Sequence, residues 1–239
     1  MSTRQTLNLG PERFRVGPWH ADAAVAHLAL PPDLPRPTAE GLHRALERLA
    51  EQGYRSVITA ALHPEEASSF LQAGFAEYDR LRVLSHDLGD LDPPRPRPDP
   101  RVRLGRGGNS HRGAALEVDR AAFPLFWQLD EAGLDDAITA TPRHRFRIAG
   151  FEGQVVGYAV TGRAGRQGFL QRLATDPAHQ GTGIAGELVL DALRWAARRR
   201  ATRVLVNTQT DNERALALYR RLGFRTTPTD LVVLTRSTA

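Results

Sequence analysis

The chain of 239 residues has no cysteine, no lysine and a single methionine. Without a thiol it can build neither a disulfide framework nor a thiolate nucleophile, so any group transfer it performs is direct or passes through another side chain. Thiolate metal sites are excluded too, and the eight histidines show no ligand spacing beside paired carboxylates, so no metal is expected. No apolar run approaches the ~18 residues that would cross a bilayer. The polar start Met1-Ser2-Thr3-Arg4-Gln5-Thr6 does not read as a secretory signal, and a cytoplasmic location without a membrane partner is expected.

What is present is ordinary globular usage, 41% hydrophobic and 25% charged, enough for one large or two small cores. All 32 basic residues are arginine, a preference that points to a GC-rich bacterial genome more than to a physical requirement. Residues 1–100 carry a net charge of −3 and residues 101–239 one of +8, which together give the chain's +5. A positive second part suits a ligand with several phosphates; bulk charge alone does not separate that from nucleic acid, which is not the expected partner. Arg198-Arg199-Arg200 is accounted for by favourable charge at a helix C-terminus.

Asp92 to Pro100 holds five prolines in nine residues and reads as a stiff, extended linker. The expected domains are therefore 1–91 and 101–239, joined by 92–100. Before the linker, Leu42, Ala45, Leu46 and Leu49 form a helical stripe, Tyr54 to Ala60 a strand, Pro64 to Phe70 a helix and Arg80 to Leu84 another strand. Residues 1–37 yield no clear elements. An offset of 149 residues places Val57 on Val206, His63 on Asn212, Phe70 on Tyr219, Gly74 on Gly223 and Phe75 on Phe224, which suggests an internal repeat.

After the linker a strand is expected at Val102 to Arg106, a helix at Arg112 to Ala122, and a second at Asp130 to Ala140 opened by an acidic residue. His144 to Ala149 and Val155 to Val160 read as antiparallel strands about a turn, and Gln167 to Thr175 as the central strand, which Pro177 ends. His179-Gln180-Gly181-Thr182-Gly183-Ile184-Ala185-Gly186 then leads into a helix reaching about Arg200, with Leu188, Ala192, Trp195 and Ala196 on its buried face. Unpaired N–H groups in that first turn attract a phosphate, and Gly181 and Gly183 let it come close. Asp211 is the expected N-cap of the last helix, Asn212, Ala215 and Tyr219 share one of its faces, and Gly223 is its left-handed stop.

Three segments in this order, Leu170 to Pro177, His179 to Gly186, and Val204 to Thr208 continuing into Asp211 to Phe224, resemble the GCN5-related N-acetyltransferase (GNAT) family over about residues 101–236. The resemblance implies an α/β (α+β) acyl-CoA N-acyltransferase fold, a mixed, mostly antiparallel sheet flanked by helices. The N-terminal part then looks like a smaller, degenerate half of the same fold, since it lacks the glycine loop and has Phe70 where the second copy has a phenol. By the same resemblance Gln180, Gly181, Thr182, Gly183, Ile184 and Ala185 bind the pyrophosphate of acetyl-coenzyme A. A splay beside the central strand leaves backbone groups of Leu173, Ala174 and Thr175 for the pantetheine arm. Asn212 and Ala215 line that arm, and Tyr219 faces the sulfur as the catalytic residue.

The implied reaction is direct attack by a primary amine on the thioester in a ternary complex, the amine being a peptide N-terminus or a small molecule. A reference phenol and thiol differ so that full proton transfer from Tyr219 to the thiolate is uphill by about 2 kcal/mol, which makes hydrogen-bond stabilisation as credible as acid catalysis. Many relatives place a glutamate on the strand before the glycine loop, where this chain has Phe169; Asp130, Glu131 and Glu152 are candidates to act through water. Arg172 with Arg143, His144, Arg145 and Arg147 could face an acidic acceptor or simply form ion pairs, and Phe123 to Trp127 could be an acceptor wall or a buried turn. Because a base is missing from its usual place, a non-catalytic acyl-CoA sensor or interaction module is the alternative.

Overall fold

The computed structural model describes residues 5–20, 22–31, 34–89 and 100–238. The first elements are β1 (Gln5–Leu9), β2 (Glu12–Trp19), β3 (Asp22–Ala29), α1 (Ala39–Glu51), β4 (Ser56–Thr59), α2 (Pro64–Gln72) and β5 (Ala76–Asp87). There follow β6 (Arg103–Arg106), α3 (Arg112–Ala122), α4 (Glu131–Thr139), β7 (Arg143–Phe151), β8 (Gln154–Ala164) and β9 (Gln167–Thr175). The chain closes with α5 (Ile184–Arg198), β10 (Arg203–Gln209), α6 (Glu213–Arg221), β11 (Arg225–Thr226) and β12 (Leu231–Ser237). It divides into two compact units, Met1–Arg82 with Gln209–Asp211 and Pro228–Ala239, and Val83–Thr208 with Asn212–Thr227. The expected linker falls almost wholly at residues 92–99, outside the described residues, and the units differ from a single break there. The chain passes from one to the other within β5, and β12 returns to the first unit because it pairs with β4 and with residues 76–81.

In the first unit the strands run β1-β2-β3-β4-β12-β5, antiparallel except for β3 beside β4. Residues 1–37, illegible in sequence, supply three of these strands. Alternation is interrupted there by Gly17 and Pro18, beside which the β2–β3 register shifts. The stripe of α1 is buried as its spacing required, with Leu42, Ala45 and Leu49 fully covered in a core that includes Phe14, Leu28, Val57 and Phe70.

The N-terminus of α1 is closed by the chain itself. The Thr38 hydroxyl accepts from Gly41 N–H at 3.0 Å, and Glu12 Oε1 accepts from the Thr38 N–H at 2.7 Å and from its hydroxyl at 2.8 Å. Arg44 reaches the other Glu12 oxygen at 3.3 Å. A Cβ on residue 41 would lie 1.4 Å from Glu12 Oε2, so Gly41 makes room for the carboxylate. Burial alone would raise the Glu12 pKa, but the Thr38 donors and Arg44 outweigh it and hold the carboxyl below its ordinary value.

In the second unit the order is β5-β10-β9-β8-β7-β6, antiparallel apart from the parallel pair of β9 with β10. One face of this sheet packs on α5 and α6 through Leu188, Ala192, Trp195, Ala196, Leu216 and Tyr219. The other packs on α3 and α4 through Ala115, Leu116, Val118 and Leu134 against Phe146, Tyr158, Val160 and Ala174. Asp130 opens α4 by accepting from Gly133 N–H at 2.7 Å.

The repeat is visible in local geometry. Beyond α2, Gly74 (φ +81°) lets Phe75 N–H reach the Phe70 carbonyl at 3.0 Å, with the two rings 5.2 Å apart. Beyond α6, Gly223 (φ +90°) lets Phe224 N–H reach the Tyr219 carbonyl at 3.0 Å, with the rings 5.5 Å apart. One expected cap moves by a residue. Asn212, not Asp211, caps α6, its Oδ1 accepting from Ala215 N–H at 3.1 Å, as His63 occupies the cap position of α2.

Glu12→Ala is expected to destabilise the protein by about 1–2 kcal/mol at pH 7, since it removes charge-assisted bonds that are partly open to solvent. Because folding lowers the Glu12 pKa from 4.5, its contribution is complete above that pH and is lost as the pH falls through the folded value. Urea unfolding of both proteins at pH 7 and at about pH 3 should show the difference shrinking in acid.

Candidate functional site

The second unit's central strands part midway. β9 and β10 pair from Gln167 beside Arg203 to Leu170 beside Val206 and no further. At that point Gln171 is an extra residue in β9, since β8 places Thr161 opposite Leu170 and Val160 opposite Arg172. A bulge of this kind bends its strand and increases its twist, which turns the rest of β9 away from β10. Leu173, Ala174 and Thr175 then pair only with Ala159, Tyr158 and Gly157 of β8. Asp176 N–H bonds the Val156 carbonyl at 2.9 Å, and main-chain groups alternate sides along a strand. Leu173 and Thr175 therefore direct theirs into the gap, where Gln180 Nε2 donates to the Thr175 carbonyl at 3.4 Å. The Thr175 hydroxyl is buried without a partner among the described residues.

From the end of β9 the chain turns through Pro177–His179, fixed by Asp176 Oδ1 accepting from Ala178 N–H at 2.8 Å. Gly181 (φ +81°) and Gly183 (φ +86°) are both left-handed, so glycine is required there by conformation as well as by access. A Cβ on Gly181 would meet nothing within 4 Å, which places open space before it. Gly183 is the cap residue of α5, and no side chain caps that helix. Its first-turn N–H groups and the positive end of its dipole face outward, an arrangement suited to a diphosphate and opposite to the self-closed N-terminus of α1.

On α6, Asn212 spends its carbonyl oxygen on the cap and keeps its amide N–H groups, with Ala215 half-buried one turn on. Tyr219 is 4% exposed and packed against Phe224, and among the described residues no group hydrogen-bonds its hydroxyl. Burial raises its pKa well above that of an ordinary phenol, so it stays protonated and can only donate or accept a hydrogen bond at neutral pH. Asn212 and Tyr219 are ~10 Å apart along the helix axis at ~1.5 Å per residue.

Arg172 is not free to meet an acceptor. It makes two bonds of 2.8 Å to Asp119 on α3, a third of 2.8 Å to the Trp127 carbonyl, and lies 3.5 Å from the centre of the Phe123 ring. Asp119 is fully buried, takes a bond from the Tyr158 hydroxyl and accepts from Leu129 N–H at 2.8 Å. Burial is the main cause of a raised Tyr158 pKa, with Arg172 opposing it and Asp119 adding to it. The cluster fastens the turn at 123–129, in which Phe123, Phe126 and Trp127 are half-buried and Leu125 is 72% exposed. Arg145 and Arg147 pair with Asp191 of α5 at 3.0 and 3.1 Å. Of the candidate bases, Asp130 is a helix cap and Glu152 pairs with Arg101 at 2.6 Å.

Sequence reading passed over Asp119, although it lies on the buried stripe of α3 with Ala115, Leu116 and Val118, where an acid needs a partner. It missed the Gln171 bulge as well, for which no residue type is a signal.

A family model described as the acetyltransferase (GNAT) family matches residues 114–224. The chain is 30% identical over 208 residues to a mycothiol acetyltransferase of Amycolatopsis mediterranei, covering 80% of this chain and 68% of that protein. It is 38% identical over 90 residues to the N-alpha-acetyltransferase RimI of Mycobacterium tuberculosis, covering 36% of this chain and 55% of that one. A tandem GNAT protein from the clavulanic acid biosynthesis pathway has the same fold, with a TM-score of 0.67 at 15% identity over 95% of this chain and 79% of the other. So does a GCN5-related N-acetyltransferase from Sphaerobacter thermophilus, with a TM-score of 0.63 at 16% identity over 97% and 82%.

Asp119→Ala should lower stability by about 3–5 kcal/mol, because it strands the Arg172 guanidinium in a largely buried setting. The double change Asp119→Leu with Arg172→Met should cost less than the two single changes added together; urea midpoints for the four proteins check both expectations.

Proposed function

We propose that this chain, which belongs to the GNAT acetyltransferase family, transfers an acetyl group from acetyl-coenzyme A directly to a primary amine. The observation that carries the reading is the gap beyond Leu170 and Val206, which ends at an uncapped, glycine-flanked helix N-terminus. In this reading Gln180, Gly181, Thr182, Gly183, Ile184 and Ala185 hold the diphosphate with main-chain donors. Leu173, Ala174 and Thr175 present strand edges to the pantetheine arm, and Asn212 and Ala215 line its other side.

The amine nitrogen attacks the thioester carbonyl carbon, a C–N bond forms, the C–S bond breaks, and the amine loses one proton as the thiolate gains one. A main-chain N–H of the bulged β9 segment supports the carbonyl oxygen as charge gathers on it. Tyr219, kept protonated by burial, donates a hydrogen bond to the departing sulfur. With Asp130 and Glu152 committed elsewhere, the amine deprotonates to solvent or through water held near Glu131. A reference α-amine spends about 1 kcal/mol to become neutral at pH 7, against about 4.6 for a lysine amine, so a peptide N-terminus or a small molecule of low amine pKa is the favoured acceptor. The relatives named for mycothiol and for N-alpha acetylation fit either class. The first unit, with α1 closed by Glu12, takes no part in the chemistry, and the protein works in the cytoplasm.

Release of free thiol from acetyl-coenzyme A across a panel of α-amines and small amines tests the reading. Tight coenzyme binding with no release for any amine would instead favour a sensor. Tyr219→Phe should lower turnover by about tenfold to a hundredfold while leaving coenzyme affinity within about twofold; unchanged turnover would remove the phenol from the reaction. Gly183→Asp should abolish measurable coenzyme binding through backbone strain and charge repulsion, whereas wild-type affinity would place the diphosphate elsewhere.

A further inference from the structure

At the far end of α5 from the glycine loop, the second unit has a cavity of about 610 Å³. It lies where β6 stops. The ladder between β6 and β7 ends at Arg106 beside Arg147, with Gly107 N–H bonding the Phe146 carbonyl at 2.9 Å, and His144 and Arg145 beyond it pair only with β8. A Cβ on Gly107 would fall 2.3 Å from the Phe146 ring, so glycine lets the chain fold in tightly as it turns toward α3. The notch so formed is lined by Arg106, Arg112, Arg145, Arg147, Arg198 and Arg199.

Among the described residues two carboxylates answer these six guanidiniums, Asp135 on Arg112 at 2.6 Å and Asp191 shared by Arg145 and Arg147. Four positive charges are left unmatched. The α5 dipole accounts for Arg198 and Arg199 at its C-terminal end but not for Arg106, Arg145 and Arg147, which come from strands and converge on the same space. Burial lowers the Arg145 pKa; Asp191 opposes the shift, and Arg147 and Arg198 add to it, so the positive potential extends beyond what Asp191 neutralises. Collecting like charge at a concave surface costs energy unless an anion relieves it.

We propose that this notch is a second anion site, which takes a ligand carrying two or more phosphate groups. A single phosphate of charge −2 would leave half of the unmatched charge, whereas a triphosphate, or four successive phosphates of a nucleic-acid strand, would neutralise it. The site is not the glycine loop under another name, because the fifteen-residue helix from Ile184 to Arg198 separates the two by ~21 Å along its axis.

Calorimetric titration of the full-length protein with tripolyphosphate, with and without acetyl-coenzyme A, tests this, alongside the same titration with a single-stranded RNA ten-mer. The test variant is R106S with R198S, exposed residues that share no ion pair with the fold among the described residues. Tripolyphosphate should bind the wild type with an affinity that acetyl-coenzyme A changes by less than about twofold and that the variant lowers by about tenfold or more. RNA binding at least about tenfold tighter than tripolyphosphate, with a salt slope that flattens by about two in the variant, would make a nucleic-acid strand the source of the phosphates. Binding no tighter than that of tripolyphosphate would make a free polyphosphate the ligand. Absence of tripolyphosphate binding, equal binding by the variant, or its loss when acetyl-coenzyme A is added would overturn the proposal.

Discussion

Through Leu170 the even-numbered residues of β9 turn toward α5, and after Gln171 they turn toward α3. Gly168 and Leu170 pack against the α5 side, whereas Arg172 reaches Asp119 and Ala174 joins the α3 and α4 core. One inserted residue reverses the facing of every side chain that follows, as a period of two demands. Without the reversal Arg172 would be driven into the apolar layer beneath α5, and the turn at 123–129 would lose its anchor. The same insertion parts β9 from β10, so the Asp119 cluster and the ligand gap are two results of one local irregularity.

That irregularity leaves main-chain polar groups unpaired in the middle of a sheet, which a folded protein tolerates only where another partner takes them. The gap continues into the uncapped N-terminus of α5, and on the proposed reading one ligand fills both, extended, able to pair with a strand edge and anionic at one end. A coenzyme thioester has those properties in that order. Tyr219 and Thr175, polar groups with no protein partner for their hydroxyls among the described residues, stand along the same path.

Elements governed by local chemistry were legible in the sequence. The stripes of α1 and α5, the Asp130 cap, Pro64 at the start of α2 and the glycine stops at 74 and 223 follow from residue type and spacing, and β9 has the bounds expected of it, ending before Pro177. The place of the glycine loop before α5 and of Tyr219 on α6 was legible through their order along the chain. What sequence did not disclose depends on partners far apart. Asp119 and Arg172 are separated by 53 positions, β12 completes a sheet begun more than 170 residues earlier, and Gly17 with Pro18 hides the alternation of β2. Asn212 displaced Asp211 as cap because the helix begins one residue later than composition suggests.

The two units settle the same electrostatic demand, a helix N-terminus with donors to satisfy, in different ways. In the first, Glu12 is a tethered counterion, held in place by the chain itself. In the second, no side chain caps α5, and on the proposed reading the acyl donor is the counterion there, so that half of the molecule should gain resistance to unfolding and proteolysis when the donor is plentiful. The first unit, whose helix carries its own counterion, should draw no such protection from the donor.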